Sequence, residues 1–382
     1  MKPHSKNKRI PFGIVAVFVG LLALMGCSAA NDKHTEEPPA PIASPQNQPD
    51  TEETRTITDL TGAEVTIPLA KNIEKVVIIA PPIVSTYLSI VPDNGRLVGT
   101  HQMSFVLGNQ QILSQLLPNW QTINTTFLTG FSSNAEELLK LDPDLILVWG
   151  AAQKEGLENI HIPIVDFYQP SHVNEEWSIS IDQLMRDIFQ IDAGKTLQDE
   201  WNLTNKTVSA ALAAMDEDNK KTAIMIMDNT GDILTVRGGG THGDDWLQKS
   251  GLKNAAENLT GGDYNQVTME QIYEWNPDMI YLFQGNLDPE DYLSNTISGQ
   301  DWSKINAFDN KSIYDMPVGI INWGTPSSDS PLTLEWLVMT NYPGTIKESD
   351  FLSRMKTYYE EHYNITLTEE LIQSILHRTY KS

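Results

Sequence analysis

Two related stretches decide the fold, NAEELLKLDPDLI at residues 134–146 and TMEQIYEWNPDMI at residues 268–280. They align without gaps at an offset of 134 residues (268 minus 134). Each begins with a good helix-capping residue and has Glu or Gln three positions later, which is the capping-box pattern. About two helical turns, a Pro-Asp stop and an apolar run follow. The repeat predicts one helix and one buried strand in each half, and therefore two related lobes.

Short apolar runs elsewhere predict further buried strands. They are residues 76–80, 97–100, 145–149 and 164–167 in the first half, and 222–227, 233–236, 279–283 and 312–316 in the second. Continuous Val, Ile and Leu without polar alternation is typical of parallel strands that are covered on both faces. With helical patterns between the runs, the sequence predicts an α/β fold of two Rossmann-like lobes, residues 55–190 and 218–382.

A single long helix is predicted to join the lobes. Apolar residues recur at helical spacing through residues 192–215, with Asp192 as the expected N-cap, so residues 191–217 form the predicted linking segment. A last helical region is predicted at residues 350–377. One helix would make a stiff connector between the lobes.

The N-terminus has the pattern of a bacterial lipoprotein signal peptide. Lys2, Lys6, Lys8 and Arg9 precede an apolar run that ends at Gly26-Cys27. The run is too short for a relaxed transmembrane helix and suits a signal-peptide core. Residues 1–26 are therefore predicted to be removed and Cys27 to be lipidated, which would hold the chain on a membrane. The alternative is an uncleaved anchor helix with an incidental cysteine.

Residues 27–54 predict a flexible tether. They are rich in Pro, Ala, Asn, Gln and acidic residues and lack apolar periodicity, so they bury too little surface to offset their ordering entropy. Fully extended, this segment reaches up to ~80 Å. Because Cys27 is the one cysteine of the chain, the mature protein has no internal disulfide and no thiolate metal site.

The charge balance argues against some partners. With 26 Lys and Arg against 50 Asp and Glu, the formal net charge is −24. This charge disfavours binding to nucleic acid and adsorption to anionic lipid. It leaves the charge of a small ligand open, because a pocket can differ from the whole surface.

Glu136 and Glu270 occupy the second helical position of the two repeats. The capping box uses the third position, Glu137 or Gln271, so the second-position glutamates are not needed for it. Alone, each would stabilise its helix by about 0.3–1 kcal/mol through interaction with the helix dipole. As a matched pair, they would form two acidic contacts for two basic sites on a partner.

These features resemble the periplasmic binding proteins for vitamin B12, ferric siderophores and haem. In that family, one Glu per lobe engages arginines of the two permease subunits and lies seven residues before the Pro of Pro-Asp, as Glu136 and Glu270 do before Pro143 and Pro277. Three further stretches, residues 57–68, 246–256 and 302–317, are similar to the family's opening hairpin, to a helix and turn, and to a late Trp-Tyr-Pro segment. The resemblance covers most of residues 56–343.

The resemblance implies two lobes around a rigid interlobe helix, a ligand cleft between them and little domain closure. It implies a monomeric, non-enzymatic receptor that is lipid-anchored outside the cytoplasm and delivers its ligand to an ABC permease dimer with ATPase subunits. The expected ligand is a metal chelate, namely a ferric siderophore, cobalamin or another corrinoid, or haem. A small oxyanion such as molybdate or tungstate, or a small metal complex, is the alternative. No cofactor is expected beyond the metal of the ligand.

Candidate ligand-binding residues follow the predicted strands, because open α/β sheets bind ligands beyond the carboxyl ends of their strands. They are Tyr87, His101, Met103, Trp149, Tyr168, Arg237, His242, Trp323 and Ser327, with Phe105, Gln153, Gln284, Thr325 and Ser328 in addition. Arg237 is the strongest candidate, since a guanidinium at a strand end can clamp a carboxylate, phosphate or oxyanion. Whether His101 or His242 ligates a metal stays open. No His-x-His or Cys-x-x-Cys motif suggests a site for bare zinc or manganese.

Other classes of protein compete with this interpretation. Residues 238–243 satisfy the dinucleotide pattern G-x-G-x-x-G, but they lie in the second lobe. Asp244 and Asp245 would also repel a pyrophosphate at the helix N-terminus. G-x-S-x-G and H-E-x-x-H motifs of hydrolases are absent from the sequence. A ligand sensor that serves no importer is also possible. In the sequence, only Glu136 and Glu270, as residues that would contact a permease, distinguish a transport receptor from such a sensor.

Overall fold

The computed structural model describes residues 53–170, 174–283 and 287–377. The predicted signal peptide, Cys27, nearly all of the tether and the candidate Gln284 lie outside these residues. Within the described ranges, no helix combines the length and the apolar character that crossing a bilayer requires.

The strands are β1 (Thr54–Thr58), β2 (Glu64–Pro68), β3 (Val76–Ile78), β4 (Leu97–Thr100), β5 (Leu128–Thr129), β6 (Ser132–Ser133), β7 (Leu145–Val148), β8 (Ile164–Asp166), β9 (Thr222–Asn229), β10 (Leu234–Val236), β11 (Lys253–Asn254), β12 (Asn265–Val267), β13 (Met279–Leu282) and β14 (Ile313–Asp315). The helices are α1 (Pro81–Ile90), α2 (Met103–Val106), α3 (Gln110–Leu116), α4 (Ala135–Leu139), α5 (Ala151–Lys154), α6 (Asn174–Phe189), α7 (Leu197–Leu212), α8 (His242–Lys249), α9 (Met269–Trp275), α10 (Pro289–Leu293), α11 (Asn306–Asp309), α12 (Ser330–Asn341), α13 (Glu348–Tyr363) and α14 (Glu369–Leu376). The predicted α/β class is confirmed.

The first lobe is built on a parallel sheet with the strand order β4-β3-β7-β8. Its strands are apolar throughout because both faces are covered. In β3, Val76 and Ile78 pack into one hydrophobic cluster, whereas Val77 packs into a second cluster on the opposite face. The antiparallel hairpin β1–β2 precedes the sheet, where the sequence resemblance places an opening hairpin.

The second lobe has a mixed sheet with the order β12-β10-β9-β13-β14, and β11 pairs with β9. β9, β13 and β14 are parallel, but β10 runs antiparallel to β9 and β12. The connection from β9 to β10 is a short turn that includes Gly231, with φ of 86°. A parallel pair needs a crossover of a dozen or more residues, so this turn forces the reversal.

The sequence repeat is also a repeat of backbone geometry. β7 and β13 begin at residues 145 and 279, at the same offset as the sequence match. Asp142 and Asn276, which are equivalent in the repeat, both adopt positive φ, at 51° and 41°. The next acidic residues, Asp144 and Asp278, both accept backbone N–H groups from the start of the neighbouring strand region. The two halves therefore share one helix-turn-strand unit.

The capping boxes of the two repeats differ. Thr268 and Gln271 form a complete box at the start of α9. In the first repeat, Asn134 caps α4, but its own N–H donates to the Phe127 carbonyl at 2.8 Å. Glu137 instead pairs with Lys140 at 2.6 Å. The predicted capping box of the first repeat is therefore wrong in its second half.

The predicted linking helix corresponds to α7. It begins after Thr196, which forms a capping box with Asp199, so the prediction of Asp192 as N-cap is wrong. Helix α6 precedes α7 and packs against it, with Trp201 Nε1 donating to Ser178 Oγ at 2.8 Å. The predicted last helical region is two helices, because Asn364 ends α13 in the left-handed conformation with φ of 53°.

One hydrophobic core continues through both lobes. It contains Val76 and Ile78 of the first sheet, and Met225 and Tyr281 of the second. Residues of α1, α6, α7, α12 and α13 join the two sides. Lobes that share a large apolar core resist independent movement, in contrast to domains with small polar interfaces.

Candidate functional site

A cavity of about 550 Å³ lies between the lobes. It opens at the carboxyl ends of the strands, since Pro81, Trp149 and Phe283 follow β3, β7 and β13 closely. The first lobe and α6 contribute Pro81, Met103, Phe131, Trp149, Gln153 and Trp177 to the lining, and the second lobe contributes Met227, Arg237, His242, Asp263, Tyr264, Phe283, Ile321 and Thr325. The cavity therefore combines aromatic walls with a few polar groups, as small-molecule sites commonly do.

Arg237 is the buried cation of the cavity, with 5% of its side chain exposed. Its backbone lies beside Met225, because β10 is antiparallel, and its long side chain reaches the cavity. Nε donates to Met227 Sδ at 2.8 Å, and the guanidinium lies 4.6 Å from the centre of the Phe283 ring. Burial lowers the pKa of Arg237 from its usual value, and Asp263 opposes that shift. The group remains a fixed positive charge at physiological pH.

The glycines at and before the start of α8 allow close packing. A Cβ at Gly238 or Gly239 would lie 2.1 Å from a backbone carbonyl oxygen of the facing turn, and one at Gly243 would lie 2.2 Å from Arg237 Cδ. At the start of α8, Asp244 accepts from the Gly240 N–H at 2.9 Å. A carboxylate thus meets the N–H group of this turn, which disfavours a dinucleotide pyrophosphate there.

Trp149 and Trp177 form the aromatic wall of the first lobe. Their ring centres are 4.8 Å apart at 65°. The Trp149 backbone N–H donates to Gln153 Oε1 at 2.7 Å, which fixes the start of α5 next to the cavity. His242, at the start of α8, faces Trp177 with the ring centres 6.0 Å apart. These residues present apolar ring surface from both sides of the cleft.

Phe131 and Tyr264 are exposed aromatic residues at the rim of the cavity. Phe131 lies in the β5–β6 hairpin and is 48% exposed, while Tyr264 directly precedes β12 and is 61% exposed. His101 stacks on Phe131 with ring centres 4.4 Å apart. Large apolar side chains that stay exposed beside a cavity commonly mark a surface that a ligand covers.

Both ring nitrogens of His101 are hydrogen-bonded to neighbouring backbone groups. Its Nε2 donates to the Gly130 carbonyl at 3.0 Å, and its Nδ1 accepts from the Met103 N–H at 3.0 Å. Burial lowers the pKa of His101, which favours the neutral ring. These bonds position His101 beside Phe131 and Met103, which line the cavity.

Three other candidates are buried away from the cavity. Tyr87 lies inside α1, where its ring packs against Phe189 at 5.6 Å, because Pro81 and Pro82 begin a helix instead of only ending a strand. Trp323 donates to Asp329 Oδ2 at 3.0 Å and is fully buried. Ser327 is also buried, although Thr325, two residues earlier, lines the cavity.

The remaining candidates differ in whether they line the cavity. Met103, Trp149, Gln153, Arg237, His242 and Thr325 line the cavity. Tyr168 packs edge-on against Trp149 with ring centres 5.6 Å apart and is partly exposed. Phe105 packs against Trp120, and Ser328 bonds to Tyr363, so neither reaches the cavity.

Sequence reasoning missed several lining residues. Phe283 directly follows β13, but the predicted strand ended one residue too late and included it. Asp263 and Tyr264 follow a Gly-Gly turn before a short strand that the sequence analysis did not identify. Trp177 lies on α6, and no local pattern indicates that a helical Trp turns toward a cleft.

Glu136 and Glu270 are exposed at the N-termini of α4 and α9. Each helix leads into a strand that is parallel to its sheet neighbours, β7 or β13, so each helix N-terminus lies at the carboxyl edge of its sheet. Hydrogen bonds from its own backbone N–H and from the Thr268 hydroxyl lower the pKa of Glu270. Both glutamates therefore lie on the edge at which the cavity opens.

The described parts of the chain contain no cluster of three or more His, Cys, Asp or Glu side chains that could hold a metal ion. The family profile described as periplasmic binding protein matches residues 118–318. The chain belongs to this family. Its members are solute-binding proteins of ABC transporters and work outside the cytoplasm, and the predicted two-lobed fold of this periplasmic binding protein is confirmed.

Known proteins with related sequence or fold bind different solutes. The molybdate-binding protein MolA of Haemophilus influenzae is 26% identical over 264 residues, which cover 61% of this chain and 70% of MolA. A periplasmic solute-binding protein from Veillonella parvula has a TM-score of 0.72 and 26% identity, covering 85% of this chain and 97% of its own. The Helicobacter pylori protein CeuE in its Ni-His complex has a TM-score of 0.65 and 21% identity, covering 84% and 98%, which shows the fold alone.

Proposed function

We propose that this periplasmic binding protein captures a compact anionic metal complex in its cleft and delivers it to an ABC permease. The observation that carries the proposal is Arg237, a buried cation that lines an aromatic cavity. The favoured ligand class is a metal chelate with an anionic group, which includes anionic ferric siderophores, haem and charged corrinoids.

The environment of Arg237 favours an anionic ligand. A buried charge is costly unless it is paired and hydrogen-bonded. Arg237 Nη1 has no hydrogen-bond partner among the described residues, and its nearest carboxylate, Asp263, lies 3.6 Å away. An anionic oxygen from a ligand would supply the missing bond and neutralise the guanidinium.

The lining favours a complex over a bare metal ion. Arg237 repels a free cation, and the described residues offer no metal-ligand cluster. Trp149, Phe131 and Tyr264 present ring surface that a chelator or macrocycle can contact. The cavity volume of about 550 Å³ lies within the range of ~300–1,000 Å³ typical of small-molecule sites.

A small oxyanion is the second candidate ligand. The sequence similarity to a molybdate-binding protein favours it, and Arg237 suits a tetrahedral oxyanion equally well. The aromatic lining favours the larger complex, because a hydrated oxyanion gains little from ring surfaces. Binding measurements with both ligand classes distinguish the two.

Two further parts complete the proposed transport role. Cys27 carries the lipid anchor, and the tether that ends at residue 54 lets the receptor reach its permease. Glu136 and Glu270 dock the two lobes onto basic sites of the two permease subunits. The receptor acts as a monomer, catalyses no reaction and needs no cofactor of its own.

A thermal-shift and titration panel tests the ligand class. The probes are a ferric tri-catecholate, a neutral ferric trihydroxamate, haem, cobalamin and molybdate, since any ligand of the native state raises the melting temperature. At least one anionic metal complex should bind the wild-type protein. Arg237→Met should weaken that binding by about 100-fold, the value of a charge-assisted hydrogen bond of ~2.7 kcal/mol.

Arg55→Met is the matched control. Arg55 of the β1–β2 hairpin pairs with Asp187 of α6 and does not line the cleft, so this variant removes the same charge without changing the site. It should bind as the wild-type protein does. Equal affinity of Arg237→Met and wild type, or a preference for bare metal ions, would refute the proposed ligand class.

A further inference from the structure

Asp263 and Arg237 form an incomplete ion pair inside the cavity. Asp263 Oδ1 lies 3.6 Å from Arg237 Nη1, which is too long for a hydrogen bond. Neither of these two atoms has a hydrogen-bond partner among the described residues, and both are inaccessible to solvent. The two side chains therefore neutralise each other's charge, but Arg237 Nη1 and Asp263 Oδ1 both lack a hydrogen bond.

The two partners differ in their freedom to move. Arg237 is 5% exposed and is held by Met227 Sδ, by the Phe283 ring and by the close approach of Gly243. The side chain of Asp263 is 40% exposed and can rotate into solvent. When the pair opens, the aspartate is therefore the partner that moves.

The backbone around Asp263 does not need to move with it. Asn265 Oδ1 accepts from the Gly261 N–H at 2.9 Å, and Asn265 Nδ2 donates to the Gly262 carbonyl at 2.6 Å. Gly262 adopts φ of 83°, so the turn before Asp263 has a defined shape. A rotation of one side chain is sufficient to release Arg237.

We propose that Asp263 is an internal counter-ion that occupies the position of the ligand's anionic group next to Arg237 and that an anionic ligand must displace. This inference rests on the proposed function of the cleft. A ligand oxygen that approaches Arg237 to hydrogen-bond distance replaces a poor pair with a good one. A neutral ligand cannot make this exchange, so it leaves Asp263 paired with Arg237. Asp263 thus competes with anionic complexes and lowers their affinity, and it has no such effect on neutral ligands.

The test compares Asp263→Asn with the wild-type protein by isothermal titration. The probes are molybdate and a ferric tri-catecholate, both anionic, and a neutral ferric trihydroxamate. Removing the competing carboxylate should tighten the binding of an anionic probe by about tenfold (~1.4 kcal/mol). The affinity for the neutral probe should not change. Asp232→Asn removes the same charge from the exposed turn between β9 and β10, outside the cavity, and should bind as wild type does.

A double variant shows whether the effect passes through Arg237. In the Arg237→Met background, Asp263→Asn should give no gain for the anionic probes. The proposal is overturned if Asp263→Asn binds both anionic probes no more tightly than wild type does, or binds neither. If Asp263→Asn binds an anion that the wild-type protein does not bind, the counter-ion role of Asp263 is supported and the proposed ligand class is wrong. If the wild-type protein binds an anionic complex and Asp263→Asn binds it no more tightly, the ligand class is supported and the counter-ion role is wrong.

Discussion

At the scale of single residues, the site depends on how Arg237 is packed. Its Nε donates to Met227 Sδ, and its guanidinium lies over the Phe283 ring. Its stem passes Gly243 so closely that no side chain fits at that position. The neighbours thus hold a buried cation in one place, and the position of the charge is already set before a ligand arrives.

Gly243→Ala should weaken ligand binding. A Cβ at this position would lie 2.2 Å from Arg237 Cδ, so the arginine side chain must shift, and the overpacking should also reduce the free energy of unfolding by about 1–3 kcal/mol. Titration with the best anionic probe and chemical denaturation measure the two effects. Gly344→Ala is the control, because Gly344 has open space and φ of 94°, so it should lose stability through backbone strain and keep its affinity.

Several residues that the sequence predicted beyond the strands line the cavity. Trp149 directly follows β7, although the predicted strand included it, and Gln153 lies in α5 just beyond; both line the cavity. Tyr87 is buried because a helix begins at Pro81, so the residue lies two turns beyond the strand. The contact of Asp263 with Arg237 joins residues from different turns, and only the folded chain reveals such a contact.

At the scale of elements, helices α7, α12 and α13 are joined by a buried polar network. Thr204 of α7 donates to Glu335 of α12 at 2.7 Å, and Glu335 lies 3.5 Å from Arg354 of α13. Glu200 of α7 also pairs with Arg354. Removing one member of a buried network leaves its partners without hydrogen bonds. Single substitutions in this network should therefore lower the free energy of unfolding.

Thr204→Val should destabilise the protein by about 1.5–3 kcal/mol, the value of a hydrogen bond to a charged group. The change keeps the shape and removes the bond to the buried Glu335 carboxylate. Thr207→Val is the control on the same helix, because the Thr207 hydroxyl bonds only to the local Leu203 carbonyl in an exposed position. It should change the free energy of unfolding by less than about 0.5 kcal/mol. Equal midpoints of urea denaturation for the two variants would contradict the role of the network.

The elements themselves were largely predictable, because local chemistry fixes most of them. The predicted run at residues 97–100 forms β4, and the repeat unit forms in both halves. One error arose where a tertiary partner decides, because the Asn134 N–H donates to the Phe127 carbonyl and the capping box stays incomplete. The other error was local, because Thr196 and Asp199 form the capping box that starts α7 and the prediction chose Asp192.

At the scale of the whole molecule, the cavity and the two candidate docking residues share one side of the fold. The cavity opens at the carboxyl edges of the two sheets. Glu136 and Glu270 lie at the same edges, at the starts of α4 and α9, and both are exposed. A core that is continuous through both lobes keeps the two edges in register. A permease that contacts both glutamates would therefore cover the mouth of the cleft.

The most direct test is transport of the complex identified by the binding panel, in cells that depend on this receptor and carry Glu136→Lys/Glu270→Lys. Uptake should fall to background, because the two acidic contacts become basic, and titration should show unchanged affinity for the ligand. Glu74→Lys/Glu274→Lys makes the same change of net charge at exposed positions that precede β3 and β13, at the amino edges of the two sheets, and should transport normally. Normal uptake by the Glu136→Lys/Glu270→Lys protein would contradict the proposed delivery to a permease.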